Sequence, residues 1–157
     1  MADSPSAAAR IEVVAHRHLA HWLPLRHALW PDTSRAEHAA EAAALLRSKD
    51  CLSLLALVDN EPAGFAEAAL RHGYVNGCEA APGEPVAFLE GLYVVPALRR
   101  RGIARALCER VADWARAQGV AELASDTSID NHDSQAMHRA LGFAETERVV
   151  FFRRALK

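Results

Sequence analysis

Arg99-Arg100-Arg101-Gly102-Ile103-Ala104 is the stretch that decides the fold. It follows an apolar run over residues 88–95 and opens a segment in which Ile103, Leu107, Val111, Trp114 and Ala115 recur at helical spacing as far as Gly119. A basic, glycine-containing turn therefore joins a strand to the N-terminus of a helix. The first N–H groups of a helix have no partner within it, and the macrodipole places partial positive charge there. Glycine lets a phosphate come close to the backbone, so the junction suits an anion. The chain contains neither G-x-G-x-x-G nor G-x-x-x-x-G-K-S/T, which excludes those two phosphate loops. What stands here is [Q/R]-x-x-G-x-[G/A]. Out of context the same residues would serve as a solvated basic cap; their place directly after an apolar strand favours the anion site.

A chain of 157 residues buries enough surface to need neither metal nor disulfide, and a single domain over 10–157 is expected. The formal net charge of −2 argues against a nucleic-acid surface while leaving room for a locally acidic pocket. Cys51, Cys78 and Cys108 are odd in number and lack C-x-x-C spacing, which points to a reducing, cytoplasmic setting rather than a zinc site or a disulfide framework. Residues 1–9 are small and polar and are expected to form a disordered tail. No apolar run approaches the ~20 residues that span a bilayer, so no membrane partner is expected.

Residues 11–15 suit a first strand. Leu19, Trp22, Leu23, Arg26 and Leu29 then follow a helical period that Pro31 stops, with Pro24 bending or delaying it. Ser34 caps a second helix over 35–48, and Glu37, three residues on, completes a capping box. Residues 51–58 and 63–71 read as two strands joined by the turn Asp59-Asn60-Glu61-Pro62. The Gly/Pro/Asn-rich stretch 72–85 is a loop. The central strand 86–95 and the long helix follow, then a strand over 120–124. Asp130 or Asn131 caps a helix running to Leu141, and 145–153 is a final β-prone strand. The order β-α-α-β-β-β-α-β-α-β predicts an α/β protein with a mixed sheet flanked by helices.

The Arg99 to Ala104 turn resembles the pyrophosphate-binding turn of the GCN5-related N-acetyltransferase (GNAT) superfamily, which grips acetyl-CoA, and the element order matches that fold: a mostly antiparallel sheet with parallel, splayed central strands. A narrower resemblance runs through Phe88-Leu89-Glu90-Gly91-Leu92-Tyr93-Val94, Ala124-Ser125-Asp126, Asp130-Asn131, Met137-His138-Arg139-Ala140-Leu141-Gly142-Phe143 and Glu145-Thr146-Glu147-Arg148-Val149-Val150-Phe151-Phe152. With Trp22-Leu23 and Leu29-Trp30-Pro31, these stretches are similar to aminoglycoside 6'-N-acetyltransferases. The tail and the loop 76–85 are longer than that pattern.

The resemblance implies that the backbone of Tyr93, Val94 and Val95 pairs with the pantetheine arm and the thioester. Arg99, Arg100, Arg101, Gly102, Ile103 and Ala104 would hold the pyrophosphate, and Asn131 and Ser134 would bond the pantetheine. Glu90 stands in an apolar strand, where a carboxylate is costly unless it is paired or lines a wet cleft. The resemblance makes it the group that binds the aminoglycoside and takes the amine proton through a water. Asp126, at a strand's C-terminal end, faces the cleft or caps a turn. Glu67 adds a third negative charge or points to solvent from an edge. Three such carboxylates in one cleft would select a polycation.

Trp22 and Tyr74 offer flat faces to a sugar ring, although Trp22 also lies in a helical apolar stripe; Trp30 and Trp114 read as core. His138 takes the place of a tyrosine that protonates the CoA thiolate in many GNAT enzymes. An imidazolium is acidic enough for that task, and water is the alternative donor. His16, His18 and His21 lack metal-ligand spacing and read as a polar helix face, so no metal is expected. The expected activity is direct transfer of acetyl to a 6'-amine, in a homodimer by resemblance. Other acceptors, a polyamine or a protein N-terminus, remain as rivals. So does a CoA-binding module without catalysis, in which Glu90 and Asp126 would be paired internally.

Overall fold

The structure, a computed structural model, describes residues 8–156. Its elements are β1 (Arg10–Val13), a short 3-10 turn (His16–His18), α1 (Leu19–Leu29), α2 (Arg35–Arg47), β2 (Cys51–Val58), β3 (Glu61–Arg71), β4 (Val86–Val94), a second 3-10 turn (Pro96–Leu98), α3 (Ile103–Ala117), β5 (Leu123–Ala124) and α4 (His132–Ala140). The strands lie in sequence order, antiparallel from β1 to β4, and β5 joins β4 in parallel.

β2 reads as a continuous apolar run because both its faces are covered. Successive side chains of a strand point to opposite faces. Leu54 and Ala56 pack with Ala66, Leu89, Leu107 and Val111 under α3, while Leu55 and Leu57 pack with Trp22, Leu25, Ala42 and Phe65 under α1 and α2. α3 buries Ile103, Leu107, Cys108, Val111 and Ala115 along one stripe. Each large side chain among them contributes about 1.5–3 kcal/mol over its exposed state. That face fixes where the N-terminus of α3 points.

α2 begins as its local signals require. Ser34 Oγ accepts from Glu37 N–H at 3.2 Å and the Glu37 carboxylate accepts from Ser34 N–H at 2.9 Å. α1 starts before Pro24 and continues past it, so the proline does not delay the helix.

Two features of the sheet shape the site. β4 and β5 pair only at Ala87 with Leu123 and Phe88 with Ala124, after which they part. In the β3–β4 ladder Glu67 faces Gly91 and Ala68 faces Leu89, so Glu90 is an extra, unpaired residue at a bulge.

The strand expected at 120–124 shrinks to its last two residues, and the strand expected at 145–153 does not form. Residues 144–156 have no regular structure, and Phe151 and Phe152 are 91% and 93% exposed. A β-prone segment becomes a strand only by bonding a neighbouring edge, and over 144–156 no backbone bond to a strand forms among the described residues, although the outer edge of β5 stands free. The tail expected over 1–9 lies, for residues 1–7, outside the described residues. No helix among the described residues is long and apolar enough to cross a membrane.

Candidate active site

The parting of β4 and β5 opens a cavity of about 220 Å³ bordered by Leu89, Glu90, Gly91 and Leu92 on one side and Ser125 and Asp126 on the other. Trp30 closes it from α1, and Asn131, Ser134 and His138 from α4. At the far end of β4 lies the basic turn. Arg100 and Gly102 both have left-handed backbone, with φ of 63° and 81°, of the kind that turns successive N–H groups into one concavity. No side chain among the described residues caps α3, whose first helical bond is Ala106 N–H to the Gly102 carbonyl at 3.0 Å. The N–H groups of Ile103, Ala104 and Arg105 are thus left for a ligand. A Cβ at Gly102 would meet nothing within 4 Å, so the turn is open to solvent. These residues fit a pyrophosphate.

Between turn and cavity runs the free edge of β4. Val95 N–H bonds the Ala63 carbonyl at 2.9 Å, so in an alternating ladder Val94 presents its backbone to the opposite, splayed side. There Arg99 Nε reaches the Val94 carbonyl at 2.9 Å. An edge of strand amides with an anion-suited turn at one end and carboxylates at the other is the arrangement a long phosphorylated acyl carrier and a cationic acceptor would need.

A sequence model of the acetyltransferase (GNAT) family matches residues 19–143. The chain belongs to that family. An aminoglycoside N(6')-acetyltransferase type 1 from Serratia marcescens is 51% identical over 147 residues, which cover 93% of this chain and 99% of that protein. One from Acinetobacter genomosp. 13 is 50% identical over 137 residues, 87% of this chain and 91% of that protein. Among solved GNAT structures, AAC(6')-Iy in complex with the bisubstrate analog CoA-S-monomethyl-acetylneamine aligns with a TM-score of 0.90 at 43% identity. That alignment covers 96% of this chain and all of the other, 100%. The mixed α/β architecture of the GNAT fold is the one observed here.

Within this GNAT site the expected residues divide. Glu90, Asp126, His138, Asn131 and Ser134 share the small cavity. Glu90 is not a lone carboxylate: Arg71 Nε donates to its Oε1 at 2.9 Å and a second guanidinium nitrogen to Oε2 at 2.6 Å. Asp126 is exposed. Arg100 and Arg101 project from the turn into solvent, whereas Arg99 is folded back onto Val94 and over Tyr93. Its side chain is occupied with the backbone, and Val95 N–H is spent within the sheet; each departs from the ligand contact expected.

Glu67 and Trp22 are corrected outright. Glu67 is 3% exposed and gripped by Arg26, Nε to Oε1 at 2.7 Å and Nη2 to Oε2 at 3.2 Å, in a network that takes in Glu41 and His38. Burial pushes its carboxyl above the ordinary range, opposed by the bond from Arg26. Trp22 is 0% exposed beside this pair. Neither borders the cavity between the parted strands. Tyr74 is exposed but borders a larger cavity of about 930 Å³, which it shares with Asp126 and not with Glu90. Its hydroxyl bonds the Glu147 carboxylate, and that bond raises the phenol's pKa.

Three contributors escaped the sequence reading. Trp30, taken as core, is the aromatic that lines the cavity, packed against Gly91 so closely that a Cβ there would stand 2.5 Å from the ring. Its place just past the end of α1, directly before Pro31, is the signal that separates it from Trp22. Ser125 borders both cavities. Arg71 ends β3 and crosses Phe88 to reach Glu90; only the sheet register reveals it.

Proposed function

We propose that this enzyme transfers the acetyl group of acetyl-CoA to the 6'-amine of aminoglycosides by direct attack within a ternary complex. The family relation makes it an acetyltransferase. One observation carries the acceptor: a cavity between the parted strands holds Glu90 and Asp126 beside the aromatic wall of Trp30, which suits a cationic amino sugar. The relatives named above are aminoglycoside N(6')-acetyltransferases over almost their full length.

In this reading the amides at the start of α3 hold the pyrophosphate with Arg100 and Arg101, and the splayed edge of β4 aligns the thioester. Glu90 draws the acceptor's ammonium and relieves it of a proton through water, while Asp126 binds a second cationic group. Arg71 already satisfies part of Glu90, as the non-catalytic rival requires, but Asp126 has no such partner among the described residues and the cavity between them is open. Those two points favour catalysis.

The test is a panel of acceptors followed by free-thiol release: an aminoglycoside with a 6'-amine, one with a 6'-hydroxyl, a polyamine and peptides. Fast turnover only with the 6'-amine compound is expected; turnover confined to peptides would overturn the assignment.

A homodimer and a cytoplasmic location belong to the same proposal. The dimer is supported by the unpartnered apolar arm over 144–156, which lies across the larger cavity from the two-residue strand β5. The location is supported by three free cysteines.

A further inference from the structure

Ser125 directly follows β5 at the point where the sheet opens. Its Oγ lies 2.8 Å from His138 Nε2 and 3.3 Å from the Leu89 carbonyl on the splayed edge of β4. On the other side of the ring, His138 Nδ1 stands 2.7 Å from the Ser134 carbonyl. A carbonyl only accepts, so the neutral ring carries its hydrogen on Nδ1 and offers a bare lone pair at Nε2. The Ser125 hydroxyl donates into that lone pair. When the ring gains a proton the direction reverses: Nε2–H donates to Oγ, and the hydroxyl proton swings toward Leu89 and the cleft. The ring is fixed for this exchange, one nitrogen bonded to its own helix and the ring set T-shaped against Phe143 with centroids 5.3 Å apart.

We propose that Ser125 and His138 form a closed proton relay that carries one proton from the attacking nitrogen to the departing thiolate. The proposal rests on the acetyl-transfer reading above and deepens it. An ammonium acceptor must lose two protons in all. The first leaves before attack, by way of Glu90 to solvent. The second is released once the amine nitrogen has bonded the thioester carbon. Ser125 Oγ takes this proton as its own hydroxyl proton passes to Nε2. When the carbon–sulfur bond breaks, Nε2 returns its proton to Oγ and Oγ passes one to sulfur. Nitrogen has lost a proton, sulfur has gained one, and the pair ends as it began, with no acid drawn from solution. Ser125 forms no bond to carbon at any stage. A histidine that only gave a proton to sulfur would need recharging each cycle; taking the nitrogen's proton through the serine lets it serve both ends of the reaction.

Single-turnover acetylation is measured for wild type, Ser125→Ala, Ser125→Thr, His138→Gln and the double variant Ser125→Ala/His138→Gln. Acceptor KM, calorimetric CoA affinity and melting temperature are measured alongside. Ser125→Ala and His138→Gln are each expected to slow acetyl transfer about 100-fold, the usual scale of a general acid–base group, with CoA affinity unchanged. The double variant is expected to be no slower than either single, since both remove one relay. Ser125→Thr keeps the hydroxyl and is expected to stay within about tenfold of wild type. Independently of activity, ¹⁵N spectra of labelled histidine are expected to show Nε2 of neutral His138 unprotonated and its resonance displaced in Ser125→Ala. Losses that multiply in the double variant, an unchanged rate in Ser125→Ala, or acetyl recovered on Ser125 would each overturn the relay. Those results leave the aminoglycoside assignment standing if wild type acetylates the 6'-amine; a wild type that acetylates no amine overturns both.

Discussion

Arg71 and Glu90 face each other as fork and carboxylate, with two bonds of 2.9 and 2.6 Å, and the guanidinium rests 3.5 Å above the Phe88 ring. The pair is partly exposed on both sides, at 42% and 32%. Exposed ion pairs contribute about 0–1 kcal/mol, so an acceptor's ammonium competes with Arg71 on nearly equal terms. Replacing Arg71 by Gln removes the competitor. The acceptor KM is expected to fall by up to about fivefold in low salt and to converge with wild type in high salt. A raised KM would mean that Arg71 serves to hold Glu90 in place.

Glu90 itself is tested through pH. If it relieves the ammonium of its proton, Glu90→Gln slows turnover most at neutral pH and least under alkaline conditions, where the amine is already free. Equal loss across the pH range would leave Glu90 as a binding group only.

Gly91 allows Trp30 to line the cavity. A Cβ at this position would stand 2.5 and 2.6 Å from two ring carbons of Trp30 and 3.2 Å from Leu29, and the ring is backed by Phe65 and Arg26. It has little room to retreat. Gly91→Ala is expected to cost about 1–3 kcal/mol of stability and to raise the acceptor KM while leaving CoA affinity unchanged. Melting curves and calorimetry separate the two effects; a variant with wild-type KM would show that Trp30 does not meet the acceptor.

The features that were legible in the sequence are those set by near neighbours. Ser34 and Glu37 declare a helix start within four residues, and Gly102 marks a left-handed turn by its lack of a side chain. The first four strands followed from apolar runs and turns. What escaped depended on partners far along the chain. Glu67 looks like a cleft carboxylate until Arg26, 41 residues earlier, is seen holding it. Glu90 lost its solitude to Arg71 in the same way. Ser125 gained its interest only when α4 brought His138 to it.

The Arg26–Glu67 pair gives a stability prediction of its own. Both side chains are 4% exposed, and Arg26 also bonds Glu41 at 3.0 Å. Removing one partner leaves a buried charge unpaired, so Arg26→Met is expected to cost about 3–5 kcal/mol, whereas Arg26→Met/Glu67→Met recovers much of the loss. Denaturant titration checks this. A double variant no more stable than the single would place the energy in the arginine's other contacts.

The arm over 144–156 sets the last prediction. Val150, Phe151, Phe152 and Leu156 are each at least 75% exposed, an apolar run that a lone protomer would leave in water at appreciable cost. The arm is tethered at its start, where Thr146 Oγ1 donates to the Asn76 carbonyl at 2.7 Å and Tyr74 bonds Glu147, and beyond that point it is free to reach a second copy. On that second copy β5 offers a short strand edge and the cavity beside it offers Leu123 and Phe143 as apolar walls. In the proposed homodimer, a two-fold arrangement would let each arm fill the other's gap and cover both surfaces with one interface. Phe151→Asp/Phe152→Asp is therefore expected to convert a dimer to monomers in light scattering and to expose dye-binding apolar surface. Because the same cavity borders Asp126 and Ser125, the monomer is also expected to lose acetyl transfer while still binding CoA at the turn before α3, which does not border it. A wild type that is monomeric at micromolar concentration would instead require the arm to fold back along its own β5.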